Sequence, residues 1–153
     1  MSYDLMMFEP QPDVDPEITL NAILDDEVSE EPLPSLSKAE SDKRNRQIIE
    51  ALQGLNPNLE DSHYDSYIEI EDKESTNGIR ITLFGATASV SVPYWHKGPA
   101  ARQVLSEMWD YLDAMHHVAG YLAYDSQLGM IVCRRDDFDA MVDTYAHLVE
   151  RHY

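Results

Sequence analysis

Between residues 67 and 93 the chain alternates apolar and polar side chains three times over, and that pattern confines it to an antiparallel sheet. Tyr67 to Glu71 sets Ile68 and Ile70 on one face and Glu69 and Glu71 on the other. Ile79, Ile81 and Leu83 repeat the period of two, and Ala88, Val90 and Val92 repeat it again before Pro93. A period of two marks a strand with one covered face. The links are short, and Asn77-Gly78 is a strong hairpin signal. Parallel neighbours would need a crossover of a dozen residues or more, so these strands run antiparallel. Parity limits the register. A two-residue turn sets Ile70 opposite Gly85, whereas a four-residue loop over 75–78 sets it opposite Leu83. The second pairing buries more and is the one expected.

The rest of the chain supplies partners for that sheet. Tyr3 to Phe8 carries Leu5, Met6, Met7 and Phe8 in a row, the composition of a central strand covered on both sides. Asp15-Pro16 predicts a helix start, with Asp as N-cap and Pro at the first helical position, ahead of Leu20, Ile23 and Leu24. A second helix is expected from about Ser41 to Leu55. Its apolar stripe is Ile48, Ile49, Leu52 and Leu55, with Lys43, Arg44 and Arg46 facing water and Asn56-Pro57 as its stop. Pro99 opens a long helix to about Ala119, with Gly120 as C-cap. Tyr121 to Tyr124 and Met130 to Cys133 read as two short strands. A last helix from near Asp136 places Phe138, Met141, Val142, Tyr145, Leu148 and Val149 at 3–4 spacing. The expectation is one α+β domain over residues 1–153, mainly an antiparallel sheet of five to six strands with three to four packing helices. An acidic, Pro-containing loop at about 25–40 interrupts it.

Charge decides which partners such a domain can take. The chain has 29 acidic and 11 basic side chains, a formal net charge of −18. A field of that sign repels nucleic acid and anionic membrane and attracts basic surfaces. Residues 9–40 alone hold ten acidic side chains and one basic one. Two clusters follow as candidate docking surfaces: Asp25, Asp26, Glu27, Glu30 and Glu31 in the loop, then Glu69 and Glu71 beside Asp72 and Glu74 near the hairpin tip. The commoner role of a charge run is a solvated face. Trp95, at the strand-to-helix junction Trp95-His96-Lys97, is the candidate aromatic anchor, although packing under the following helix is the commoner use of a tryptophan there.

Chemistry finds less support. No Gly-x-Ser-x-Gly, phosphate-binding glycine loop or His-Glu-x-x-His occurs. His116 and His117 diverge by about 100° on a helix and do not share a metal easily. Asp113 with His117 and Asp143 with His147 are spaced as surface ion pairs. Neither a metal nor a cofactor is expected. The single cysteine, Cys133, reads as a small buried strand residue. The start of the chain lacks a basic region followed by an apolar run, and no stretch approaches the roughly twenty apolar residues of a membrane span. A cytoplasmic location is expected, with no membrane partner.

Three stretches carry a resemblance. They are Met1-Ser2-Tyr3-Asp4-Leu5-Met6-Met7-Phe8, Ile48 to Leu59 (Ile-Ile-Glu-Ala-Leu-Gln-Gly-Leu-Asn-Pro-Asn-Leu) and Tyr124-Asp125-Ser126-Gln127-Leu128-Gly129. The chain resembles small bacterial proteins that begin Met-Ser-Tyr-Asp-Leu and carry Tyr-Asp-Pro-Gln-Leu-Gly. Those are similar to immunity proteins of polymorphic toxin systems, met beside Rhs-type or type VI secreted effectors. This sequence departs at Ser126, where the pattern has proline, and its acidic insert around residues 25–40 lies outside the common pattern. The resemblance implies a protein that is not an enzyme. It implies an inhibitor that occludes the active site of a cognate toxin domain, basic and of nuclease or ADP-ribosyltransferase type. Tyr-Asp-x-Gln-Leu-Gly is then a hairpin-shaping element, and no catalytic residue carries over. The rivals are an adaptor or chaperone of a secreted effector, and a small enzyme that would join His96 with carboxylates in a deep cleft.

Overall fold

The strands fall into a single seven-stranded antiparallel sheet of order β2-β3-β4-β5-β1-β6-β7. The computed structural model describes residues 2–25 and 37–152. In chain order the elements are β1 (Ser2–Phe8), α1 (Pro16–Leu24), α2 (Lys38–Leu55), β2 (Glu60–His63), β3 (Ile68–Glu71), β4 (Arg80–Leu83), β5 (Thr87–Pro93), α3 (Pro99–Ala119), β6 (Leu122–Asp125), β7 (Met130–Val132) and α4 (Arg134–His152). The architecture is the expected α+β domain with one strand more. That strand, β2, is Glu-Asp-Ser-His at the sheet edge and has no apolar period to reveal it.

Register writes the core as two rungs across the sheet. Ile70, Ile81, Val90 and Leu5 stand side by side between Asp61 at one end and Asp125, then Met130, at the other. The next rung runs His63, Ile68, Leu83, Ala88, Met7, Ala123 and Val132. Opposed residues project to the same face, so one face is almost wholly aliphatic. Ile48, Ile49 and Leu52 of α2, Leu105, Met108 and Leu112 of α3, and Met141, Tyr145 and Val149 of α4 pack onto it in one cluster. The opposite face is polar over β3, β4 and β5, with Glu69, Thr82 and Ser89 in one row and Glu71, Arg80 and Ser91 in the next, and apolar over β1, β6 and β7, where Met6, Tyr124 and Ile131 share a row and buried Phe8 pairs with Leu122. Glu69 and Glu71 thus point away from α2, α3 and α4, as their parity predicts. β1 is central, and its second face is covered in part, as expected at Phe8, which is fully buried, but not at Asp4, which is exposed, with Met6 half-buried between them.

Local signals account for the helix ends. Asp15 caps α1, its carboxylate accepting the Glu17 N–H at 2.9 Å ahead of Pro16. α2 starts earlier than its apolar stripe suggests, because Ser37 is its N-cap: Ser37 Oγ accepts the Glu40 N–H and donates to the Glu40 carboxylate. Gly120 ends α3 in the left-handed conformation at φ +71. Other expectations give way. Arg44 does not face water: its guanidinium lies 5.4 Å from the Tyr121 ring centroid and pairs with Glu9. Leu55 is exposed. Cys133 is exposed, because α4 begins at Arg134 and leaves it at the helix mouth, its N–H donating to the Asp137 carboxylate. No helix among the described residues is long and apolar enough to cross a membrane.

Tyr3, Tyr94 and Tyr145 form an aromatic knot under α4. Tyr3 meets Tyr94 edge-on with centroids 6.4 Å apart, and Tyr94 meets Tyr145 at 5.4 Å. Burial, reinforced by neighbouring carboxylates, pushes the Tyr94 phenol up to about 12 and Tyr3, which donates to Asp125, further still. Tyr111 is also raised to about 12, chiefly by burial. The sign follows from linkage. A phenol with a raised native pKa is neutral in both states below about pH 10, where its contribution is fully present. Above that the unfolded chain ionises while the native state cannot. Stability should therefore fall as pH rises from about 10 through 12. Denaturant midpoints at pH 9, 10 and 11 read this, and Tyr3→Phe should flatten the decline.

Candidate partner-binding surface

The β3–β4 hairpin is longer than its Asn-Gly signal suggests. Ile70 pairs with Ile81 and Ile68 with Leu83, one rung short of the expected Ile70–Leu83 pairing, which leaves residues 72–79 as the loop. The reason is polar. Asp72 Oδ1 accepts the N–H groups of Glu74 and Ser75, and Asn77 Oδ1 accepts the N–H of Ile79. These side chains close local turns that compete with the strand ladder. Because the shift is two residues, the core face is unchanged.

The body of the protein holds this loop from three sides. Asp72 Oδ2 accepts from Asn56 Nδ2 at the end of α2 (3.0 Å). Asn77 Nδ2 donates to Glu107 of α3 (3.0 Å), and the Asn77 carbonyl meets His96 Nε2 at 2.7 Å. Trp95 Nε1 donates to the Thr76 carbonyl at 3.2 Å. Trp95 does not pack under α3. It stays 57 % exposed, its ring laid against the loop. Gly78 makes that possible: at φ +72, a Cβ there would stand 2.5 Å from Pro93 Cγ and 2.6 Å from Trp95 Cζ2. Gly78→Ala should therefore cost about 2–4 kcal/mol, from the left-handed backbone and a clash with a proline ring that cannot retreat. A shift in the fluorescence of exposed Trp95, against buried Trp109, would report the displaced ring.

Glu71, Asp72 and Lys73 join Trp95 around a groove of about 670 Å³ over this loop. The groove is an aromatic plate with carboxylates at its rim. Arg80 lies 3.5 Å from the Glu71 carboxylate and offsets part of its charge, and Lys73 pairs loosely with Glu60 at 3.7 Å. Such exposed pairs are worth little and break readily for a partner. Glu71 and Trp95, singled out from sequence, thus meet at one groove. Glu69 stands on the same polar sheet face, one rung away and outside the groove lining. Asp25 is exposed at the C-terminal cap of α1, apart from the groove lining. Asp26, Glu27, Glu30 and Glu31 lie outside the described residues. His96, the pivot of the enzyme alternative, is tied to the Asn77 carbonyl and lines a separate 370 Å³ pocket with Lys97 and Glu150.

A second concavity had no sequence forecast. A cleft of about 510 Å³ separates α2 from the sheet edge, lined by Asp42, Asn45, Arg46 and Glu50 on the helix and Asp61 and His63 on β2. Asp61 and His63 end the two core rungs, which explains why they face the helix. His63 Nε2 meets Asp61 Oδ2 at 2.6 Å, and Gln53 Nε2 donates to Asp61 Oδ1 at 3.3 Å. One signal was available: Asn45 precedes Ile48, Ile49 and Leu52 at helical spacing, an amide on an apolar stripe. Among the described residues, no group of three or more His, Cys, Asp or Glu side chains could hold a metal ion.

The motif Tyr124-Asp125-Ser126-Gln127-Leu128-Gly129 is the turn between β6 and β7. Asp125 Oδ1 accepts the N–H groups of Gln127 (2.8 Å) and Leu128 (3.2 Å), the Asp125 carbonyl accepts from Gly129, and Gly129 sits at φ +68. Its chemistry is that of a turn. Compared with protein-family models, curated proteins and solved structures, the chain matches none.

Proposed function

We propose that the protein is a cytoplasmic immunity protein, an inhibitor that binds one cognate toxin domain and covers its active site. The observation that carries this reading is Trp95: a large exposed aromatic, fixed by its bond to the Thr76 carbonyl, beside the Glu71 carboxylate on a chain of net charge −18. Exposed tryptophans held rigid lose little entropy on binding and serve as anchors in interfaces. The surrounding negative field speeds encounter with a basic cleft, such as that of a nuclease or an ADP-ribosyltransferase, and the anchor sets the lifetime of the complex.

The test is titration of the purified protein against the toxin domain encoded beside it, followed by binding and by toxin activity. The expected result is a tight complex whose association rate falls with added salt, with activity lost in proportion to occupancy. No complex at micromolar concentration in low salt overturns the reading. A complex that leaves the toxin fully active replaces it with that of an adaptor or chaperone.

A further inference from the structure

We infer that the open face of β3, β4 and β5 is a second contact surface for the basic partner, where the aromatic cluster of Tyr64, Tyr67 and Phe84 seats a lysine or arginine side chain at the end opposite Trp95. The first observation is the cluster itself. Tyr64 and Tyr67 stack with centroids 4.8 Å apart, and Tyr67 meets Phe84 at 6.4 Å. Tyr64 remains 52 % exposed and Phe84 40 %. Single apolar side chains at a surface are ordinary, but three neighbouring rings form a continuous patch, and such patches mark contact sites. The backbone beneath them is fixed. The Tyr64 N–H donates to the Tyr67 carbonyl at 2.9 Å across the β2–β3 turn, and the Phe84 N–H donates to the Thr87 carbonyl at 2.8 Å across the β4–β5 turn. Rings held in this way lose little entropy on binding.

The second observation is where the register puts the cluster. Tyr67 lies two residues before Glu69 and Phe84 two after Thr82, so both project to the face that carries Glu69, Glu71 and Arg80. Pro93 follows Ser91 on the same face, and Gly78 brings Pro93 and Trp95 together at its far end. From Gly78 to Phe84 the chain spans about 20 Å, at about 3.3 Å per residue. The side chains between these ends are half-buried or exposed, while α2, α3 and α4 pack on the other side of the sheet. Glu71 belongs both to the Trp95 groove and to this face, so the two are continuous. A stable interface buries about 800 Å² on each partner, more than one tryptophan and its groove supply. The open face is the direction in which the groove can extend.

Charge chooses the occupant. Asp65 in the turn and Glu69 and Glu71 on β3 oppose one cation, Arg80, which already lies 3.5 Å from the Glu71 carboxylate. Exposed ring faces also suit nucleobases, but base-stacking surfaces need a basic groove for the phosphates, and a chain of net charge −18 repels them. An ammonium or guanidinium gains twice, from the π face of a ring and from the negative field around it. A guanidinium gains further because its plane stacks on a ring.

That the cation belongs to a toxin domain rests on the function proposed above, but the surface can be tested alone. End-blocked hexa-arginine would be titrated at low salt into isotopically labelled protein and followed by NMR. Saturable shifts at Tyr64, Tyr67, Glu69 and Phe84 are expected, and none there with hexa-glutamate or with a single-stranded oligonucleotide. Tyr64→Leu and Phe84→Leu keep the charge and the apolar bulk but each lose a π face, at positions exposed enough to leave the melting temperature nearly unchanged. Each should weaken peptide binding at the cluster, and the toxin complex, by about 3-fold to 30-fold, with shifts at other acidic sites unaltered. Absence of shifts at the cluster, or peptide binding of wild-type strength in both variants, overturns the inference. Shifts there with the oligonucleotide replace it with a nucleic-acid surface. A tight toxin complex indifferent to both variants removes this surface and leaves the function standing. Cluster shifts that both variants weaken, with no toxin complex, remove the function and leave a cation-binding surface.

Discussion

Replacing Asp125 by alanine is expected to remove about 3–5 kcal/mol of folding stability, a large share of the total for a domain of this size. The carboxylate is fully buried next to the edge strand β7 and serves three donors: the Tyr3 hydroxyl and the N–H groups of Gln127 and Leu128. Hydrogen bonds to a charged group are worth about 1.5–3 kcal/mol each, and truncation strands their partners without water. The substitution therefore both loosens the β6–β7 turn and leaves the Tyr3 hydroxyl unsatisfied beside Tyr94 and Tyr145. Unfolding in denaturant measures it, and the melting temperature should drop by about 6–20 °C. Tyr3→Phe is expected to cost less, because Asp125 keeps its two backbone donors. The double variant should be less destabilised than the sum of the singles, since each removes the same bond. A loss below about 1 kcal/mol for Asp125→Ala would contradict this account of the motif.

What the sequence could and could not announce follows from the range of each interaction. Period and local chemistry are written within a few residues. Ile68 to Val92 alternate because one face of their strands is covered, and Asp15-Pro16 and Gly120 mark helix ends by rules that need no tertiary context. The Ser37 N-cap was equally local and placed the start of α2 ahead of its apolar stripe. The hairpin register was misjudged because Asn77-Gly78 is a two-residue signal inside a loop whose other side chains make turns of their own. β2 gave no pattern, since an edge strand under a charged cleft has few apolar residues to alternate. Trp95 shows the limit most clearly. Whether its ring goes under α3 or over the hairpin depends on a carbonyl 19 residues away and on the missing Cβ of Gly78. Asn45 was readable as an oddity on its stripe, but the cleft beside it exists only because Asp61 and His63 end their rungs there.

Trp95→Ala is expected to weaken the complex with the cognate toxin domain by about 2–4 kcal/mol, or about 30-fold to 1000-fold in Kd, with a smaller loss of folding stability. The asymmetry comes from where the ring sits. Within the protein it makes one hydrogen bond, to the Thr76 carbonyl, and remains 57 % exposed, so its removal costs the monomer about 1–2 kcal/mol, from that bond and the covered part of the ring, less than the loss at the interface. Against a partner the whole exposed face of the indole would be covered, over a loop already held by Asn56, Glu107 and His96. The loss should appear as faster dissociation, because a short-range anchor acts after encounter. Glu71→Gln, at the rim of the same groove, should show the opposite signature: a slower association rate and a weaker salt dependence, with dissociation nearly unchanged. Glu69→Gln, outside the groove lining, should do less. Replacing Asp25, Asp26, Glu27, Glu30 and Glu31 together by their amides tests whether the acidic stretch contacts the partner or only adds to the field. Contact requires a change in dissociation, and the field alone changes association only. Surface plasmon resonance at two salt concentrations separates these outcomes. Wild-type affinity in Trp95→Ala would remove the groove from the interface and leave only the charge to explain recognition.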